Sequence, residues 1–220
     1  MRPVLIFACC WVFSMRAVPA DGAGPVCAAD SLQQKTRLPA GQRQTENFPI
    51  LRIGEIPDLN RSNWVLEIKG EVRNRLKMTW NDFIQMDTVH AISDFHCVTG
   101  WSRLQNLWTG VRIRDILDRA GLKKGAKHIF FKAADGYSTN LMIADCTGDD
   151  DILAFEWEGK PITNELGGPV RAVIPGKYGY KSAMWITEIQ VLKKEKKGYW
   201  EKKGYSNSAD PWKEERYEKP

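Results

Sequence analysis

Segments that read as β-strands outnumber those that read as helices along this chain, and the two kinds do not alternate. Residues 64–70 switch between apolar and polar side chains as a half-buried strand does, and residues 89–97 read as a second strand ending at Thr99-Gly100. Further strand candidates follow at 128–133, 138–143, 152–157, 169–174 and 185–192, punctuated by Asp135-Gly, Gly148-Asp, Glu158-Gly and the glycines between 176 and 179. Only two helices are predicted. One begins at the capping-box-like Thr79-Trp-Asn-Asp82 and runs through Phe83 and Met86. The other places Ile113, Ile116, Leu117 and Ala120 on one face and stops at Gly121. This order describes an α+β domain on a mixed or antiparallel sheet.

The ends read differently from the middle. Met1-Arg2, the apolar run to Phe13 and Ala17-Val-Pro-Ala20 resemble a secretory leader with a cleavage site, too short to span a bilayer. Residues 21–45 read as a linker, with packing expected to start near Phe48, and 46–205 form the domain. From Lys193 to Pro220 charge is mixed with Trp200, Tyr205, Trp212 and Tyr217, and the stretch, with 206–220 as its charged aromatic tail, either stays solvated or wraps back over the domain. At 220 residues the chain has room for one large domain, by the rule of roughly 150 per domain. Its 43% hydrophobic and 27% charged residues exclude wholesale disorder and a membrane bundle. A net charge of +5 suits an anionic ligand but is far short of a dedicated nucleic-acid binder. The five cysteines form neither a CxxC pair nor a zinc spacing. Nine tryptophans point to a rigid core or a cleft walled by flat side chains.

Three segments carry possible chemistry. In Asp94-Phe-His-Cys-Val-Thr-Gly-Trp101, Cys97 sits where a strand gives way to a turn. As a thiolate it would be a soft metal ligand or a nucleophile; as a thiol it would be a buried packing residue. His90 and His96 fall on one face of the predicted strand, without a third ligand. In Gly167-Gly-Pro-Val-Arg-Ala-Val-Ile-Pro175, Arg171 interrupts a β-branched strand. Its guanidinium either meets a phosphate or carboxylate inside or turns out to solvent. The segment Pro175-Gly-Lys-Tyr-Gly-Tyr-Lys-Ser-Ala-Met-Trp185 is either a phosphate cradle of amides and lysines or an ordinary Gly/Tyr hairpin. Its glycine spacing fits neither a Walker loop nor a Rossmann fingerprint.

Taken in order, His-Cys-Val-Thr-Gly-Trp-Ser, Leu107-Trp-Thr-Gly-Val, Asp135-Gly-Tyr, Gly-Gly-Pro-Val-Arg and Lys-Tyr-Gly-Tyr-Lys-Ser-Ala-Met-Trp resemble the sulfite oxidase family of molybdopterin enzymes. The likeness is to its small stand-alone members and runs from Thr45 to about Tyr205. It implies a mixed β-sheet molybdopterin-binding fold of the sulfite oxidase type. It also implies a dithiolene that binds molybdenum beside a protein thiolate, for which Cys97 matches. By the same resemblance, Arg171 meets the cofactor phosphate, and Ser182, Ala183 and Met184 follow it along the pterin. Asn47, Phe48, Pro49 and Ile50 match a loop on the cofactor's other side. Tyr137, taken as a catalytic candidate, and Trp101 would line the substrate pocket or serve as packing.

Two departures from the pattern stand out. Leu166 occupies the position five before the arginine where the family has His or Asn, and the first arginine after Cys97 is Arg103. The second places sulfite in question as substrate. The resemblance implies oxygen-atom transfer with two-electron metal chemistry on a small oxidisable or reducible substrate, served by a separate electron-carrier protein. Methionine-sulfoxide-reductase-like activity is the alternative within the class, and a non-catalytic anion or nucleic-acid binding module the alternative outside it; no nucleic acid is expected. The expected location is cytoplasmic, because Arg2 and Arg16 make no twin-arginine pair for folded export; a working leader would export the chain instead. No oligomeric state is implied.

Overall fold

The computed structural model describes residues 37–219; the leader-like segment 1–20 and linker residues 21–36 lie outside the described residues. Eleven strands form two sheets. The first orders β1 (Arg43–Gln44), β5 (Trp101–Arg112), β8 (Ile152–Trp157) and β10 (Arg171–Val173), with β4 (Thr88–His96) also paired to β5 and β9 (Lys160–Pro161) to β8. The second orders β3 (Leu76–Thr79), β2 (Val65–Gly70), β11 (Ile186–Leu192), β6 (His128–Ala133) and β7 (Ser138–Met142). Both are mixed: β1 runs parallel to β5 and β11 parallel to β2, and the other pairs are antiparallel. Among the described residues the α-helices are α1 (Trp80–Ile84) and α2 (Ile113–Ala120), and the α+β expectation holds.

Local chemistry explains both helices. Thr79 accepts from the Asp82 N–H at 3.4 Å while the Asp82 carboxylate accepts from the Thr79 N–H at 2.9 Å, closing the capping box. The four residues spaced along α2 are all buried, and Gly121 ends the helix with φ 68° while its N–H donates to the Leu117 carbonyl at 2.8 Å.

Four strands escape the sequence reading, β1, β3, β5 and β9, of which β1 and β9 are two residues each. β5 is the longest strand among the described residues, yet Arg103, Gln105 and Asn106 break its apolar alternation, and Gln105 has φ 54°. Its pairing register shifts opposite Ser93/Phe95 and again at Thr109/Gly110, so a period of two never persists long enough to be read. β3 is only four residues long. The Ser93/Phe95 irregularity also corrects the histidine pairing: His90 lies with the exposed Thr88 and Ile92, whereas His96 is buried.

Packing starts earlier than Phe48. Arg37 holds Asp94 through two hydrogen bonds of 2.8 and 2.9 Å, and β1 pairs with the start of β5. The tail takes the wrapped alternative: Glu201, Ser206 and Ala209 are buried, and the Tyr178 N–H donates to the Ala209 carbonyl at 2.8 Å.

Strand β10 is buried on both faces, and that places the site. Ala172, with Val170 and Ile174 beside the strand, faces the principal core, together with Leu66, Ile68, Phe131, Ile186 and Ile189. Val173 faces a second cluster built on Ala91, Trp108, Ile152 and Ala154. Alternation therefore sends Arg171 to the side of Val173, away from the principal core.

The β5–β8 contact tolerates only glycine at its irregular point. A Cβ on Gly110 would lie 2.3 Å from the Leu153 carbonyl oxygen and 2.8 Å from Ala154 Cα. Gly110→Ala is expected to cost about 1–3 kcal/mol by forcing the two strands apart. A urea midpoint equal to wild type would contradict that close approach.

Candidate functional site

Phe48 organises one wall of a cavity of about 340 Å³. Its ring centroid lies 4.8 Å from Phe95, 5.6 Å from Trp101, 6.0 Å from Trp108 and 5.5 Å from Trp157, a set that gathers β4, β5 and β8 around one side chain. Pro49, Ile50, Cys97, Tyr137, Arg171, Ser182, Ala183 and Met184 line the same cavity, so the three segments singled out in the sequence converge. Asn47 does not line it; the residue is exposed and its N–H donates to Thr45 Oγ1 at 3.1 Å.

Cys97 follows the last residue of β4 and opens the turn to β5. The turn closes through Cys97 N–H to the Trp101 carbonyl (2.8 Å) and Gly100 N–H to the Cys97 carbonyl (3.0 Å). The sulfur is 3.1 Å from Thr99 Oγ1 and forms no disulfide. Cys146 is different in kind. It is buried, contacts the Met142 and Ile143 carbonyls, and burial pushes its thiol well above the ordinary range.

Arg171 does not turn out to solvent; it is 3% exposed. Nη1 donates to the Leu166 carbonyl at 2.9 Å, while Nε is buried without a partner. Leu166 thus serves the guanidinium through its backbone, something its apolar side chain could not announce. The rings of Phe48, Trp108 and Phe95 stand 5.4, 5.6 and 5.8 Å from Cζ. This apolar cage lowers the guanidinium pKa to about 10 through desolvation. Relative to an ordinary arginine, that is on the order of 3 kcal/mol against the charged form, which an anion in the cavity would offset.

The 175–185 segment forms a tight turn rather than a hairpin, with a 3₁₀ turn at Gly179–Lys181. Only glycine fits at 179, since a Cβ there would lie 2.3 Å from the Phe95 ring. Ser182 Oγ accepts from the Ile174 N–H at 3.0 Å, and the Ala183 carbonyl accepts from the Ala172 N–H at 2.8 Å, locking the segment beside β10. Among the described residues, the Ala183 and Met184 N–H groups have no backbone partner. Tyr137 is less free than the sequence suggests: its hydroxyl donates to the Tyr180 carbonyl at 2.5 Å, and burial pushes its pKa well up.

Several lining residues were not foreseen. Tyr180, Trp200 and Tyr205 form an aromatic wall, joined by Leu51, Arg52, Ile53 and Asp135. Trp200 and Tyr205 come from beyond the last strand, in the charged aromatic stretch whose aromatics point to wrapping back over the domain, though not to this cavity. The described residues hold no cluster of three or more His, Cys, Asp or Glu placed to hold a metal ion. The soft sulfur groups lining the cavity are the Cys97 thiol and the Met184 thioether, and only the thiol can ionise to a thiolate ligand.

The cavity suits a flat, phosphate-bearing ligand that brings further metal donors of its own. Aromatic walls fit the flat part, the orphaned Arg171 Nε fits a phosphate oxygen, and Cys97 leaves a soft donor for the metal. Comparison with known proteins agrees. The family model "Oxidoreductase molybdopterin binding domain" matches residues 53–200. An uncharacterised oxidoreductase of Bacillus subtilis, YuiH, is 38% identical over 84% of this chain and 93% of its own length. A putative protein-methionine-sulfoxide reductase subunit of Azospira oryzae, YedZ1, is 28% identical over 69% of this chain and 58% of its own. The sulfane dehydrogenase SoxCD of Paracoccus pantotrophus superposes with a TM-score of 0.59 at 18% identity, over 82% of this chain and 56% of that one.

Proposed function

The chain belongs to the oxidoreductase molybdopterin-binding domain family, with molybdenum-bearing molybdopterin as its cofactor, and on that premise we propose oxygen-atom transfer to or from a small substrate at this cleft, with Cys97 as the metal's protein ligand. One observation carries the reading: a free thiol and a buried guanidinium whose Nε lacks a partner line the same aromatic cavity. The bound molybdenum supplies the two-electron redox chemistry.

The chain's own residues do the rest. Arg171 holds the phosphate with charge-assisted hydrogen bonds. The amides of Ala183 and Met184 would meet the polar part of the pterin, and Phe48, Pro49 and Ile50 would pack against it across the cavity. Tyr137 keeps the Tyr180 carbonyl in place rather than exchanging a proton. The aromatic lining excludes water from the reacting centre. Electrons pass to or from a separate carrier protein.

A neutral substrate, of the sulfoxide type, fits better than sulfite. Phe95 and Trp101 cluster with Cys97, Thr99 Oγ1 lies 3.1 Å from its sulfur, and none of the three is cationic. Arg103 is committed elsewhere, to Glu158 at 3.0 Å, to the Glu46 carbonyl and to Asn106. Arg52, the other cationic residue lining the cavity, is exposed and donates to the Gly54 carbonyl, so beside Cys97 a sulfite dianion would meet no buried cation other than Arg171. We propose a cytoplasmic location; among the described residues no helix is long and apolar enough to cross a membrane.

Protein produced in a molybdopterin-making host is expected to hold about one molybdenum per chain. Arg171→Met should lose the pterin at least about tenfold faster during gel filtration, as one hydrogen bond to a charged group is worth about 1.5–3 kcal/mol. Metal-free wild-type protein would sink the enzyme reading; full pterin retention in Arg171→Met would remove Arg171 from it.

A further inference from the structure

Three carbonyls of the Cys97 turn are held by segments outside the matched residues 53–200. Gln42 Nε2 donates to the Cys97 carbonyl at 3.1 Å, the Arg43 N–H donates to the Gly100 carbonyl at 3.0 Å, and Arg216 Nη1 donates to the Val98 carbonyl. One grip comes from before β2 and the other from the end of the wrapped tail. Neither Gln42 nor Arg216 lines the cavity.

Both side chains are themselves fixed. The Gln42 amide oxygen accepts from Ser102 Oγ at 3.1 Å, and that hydroxyl lies 2.8 Å from His96 Nδ1, which sets which way the amide faces. The Arg216 guanidinium lies 5.2 Å from the Tyr178 ring centroid, its carbonyl accepts from the Ser206 N–H at 3.2 Å, and Tyr178 is fully buried. We infer that Gln42 and Arg216 are positioning residues that fix the Cys97 turn and so set how the thiolate meets the metal. The inference rests on the reading of Cys97 as the metal's ligand. Outer contacts of this kind hold a ligand's orientation and thereby tune the metal, although they touch neither substrate nor cofactor. A short turn with one glycine at φ 95° would otherwise have freedom to rock, and the two grips remove it from opposite ends of the chain.

The test uses loaded, full-length protein carrying Gln42→Leu, Arg216→Gln or Arg216→Lys. The first two should keep molybdenum near the wild-type content while shifting the electron paramagnetic resonance signal and the midpoint potential of the metal. Arg216→Lys, which keeps a cationic donor, should sit closer to wild type. A second readout needs no cofactor: alkylation of Cys97 in the unloaded protein, mapped by peptide mass, should accelerate by on the order of fivefold, as losing one ordinary hydrogen bond from a local opening equilibrium implies. Wild-type signal, potential and alkylation rate in both variants would overturn the inference. So would a collapsed melting transition with loss of metal, since the contacts would then support the fold at large. Wild-type protein without molybdenum, or an unchanged metal signal in Cys97→Ser, sinks the underlying reading and this inference with it; the wild-type and Cys97→Ser controls tell that failure apart.

Discussion

Cys97→Ser is expected to keep its pterin and lose turnover by at least on the order of a hundredfold, since replacing a ligand should exceed the 10–100-fold effects of outer contacts. Retention follows because Arg171 and the 182–184 segment hold the organic part of the cofactor without help from the sulfur. Loss of turnover follows because a hard hydroxyl donates to molybdenum far less than a soft thiolate. Cys146→Ser is the control. Its buried sulfur contacts only local carbonyls, so the change should cost about 1–2 kcal/mol and leave the metal signal alone. Pterin fluorescence, metal content and steady-state turnover with an artificial electron donor separate these outcomes. Turnover in Cys97→Ser within a few-fold of wild type would contradict the assignment.

The second large effect lies behind the aromatic wall. Lys181 and Glu201 form a salt bridge of 2.6 Å with both side chains fully buried. Lys181 Nζ also donates to the Asn140 carbonyl and side-chain oxygens at 2.8 Å, and Thr139 Oγ1 donates to the same Glu201 oxygen at 2.5 Å. Glu201 Oε2 has no partner. Burial pushes the Lys181 ammonium down in pKa, and the facing carboxylate pulls it back up. Either charge left alone is costly, so Lys181→Met and Glu201→Gln should each destabilise the protein by about 3–5 kcal/mol. The double variant Lys181→Met/Glu201→Leu should recover most of that, because two apolar side chains avoid the desolvation both ions suffered. The consequence reaches the site, as Tyr180 and Ser182 flank one ion and Trp200 the other, and all three line the cavity. Urea denaturation of the unloaded proteins measures it; single variants within about 0.5 kcal/mol of wild type would show that the pair is not the clamp described.

The sequence discloses the parts of this molecule whose signals are local. Helix α2 shows itself through four apolar residues on one face and a terminal glycine, and strands 128–133 and 152–157 through runs of buried side chains. Cys97, Arg171 and the 182–184 segment are legible because their chemistry is unusual for their setting: a thiol at a strand end, a guanidinium among β-branched residues, and glycines with lysines in one turn. β5 is hidden because its irregular pairing destroys the alternation that would reveal it. The Lys181–Glu201 pair is hidden for another reason. Lys181 stands in the 175–185 segment as a candidate for an anion cradle, and nothing local distinguishes Glu201 from the other charges of the 193–203 run; only tertiary contact pairs and buries the two. The same holds for Gln42 and Arg216, whose contacts with the Cys97 turn span 55 and 118 residues.

X-ray absorption at the molybdenum edge tests the central claim most directly, because it reads the metal's neighbours rather than their consequences. Loaded wild-type protein should show a sulfur neighbour beyond those of the dithiolene, and Cys97→Ser should lose that one while the rest stay. An identical sulfur shell in wild type and Cys97→Ser would place the metal away from Cys97 and contradict the site described here.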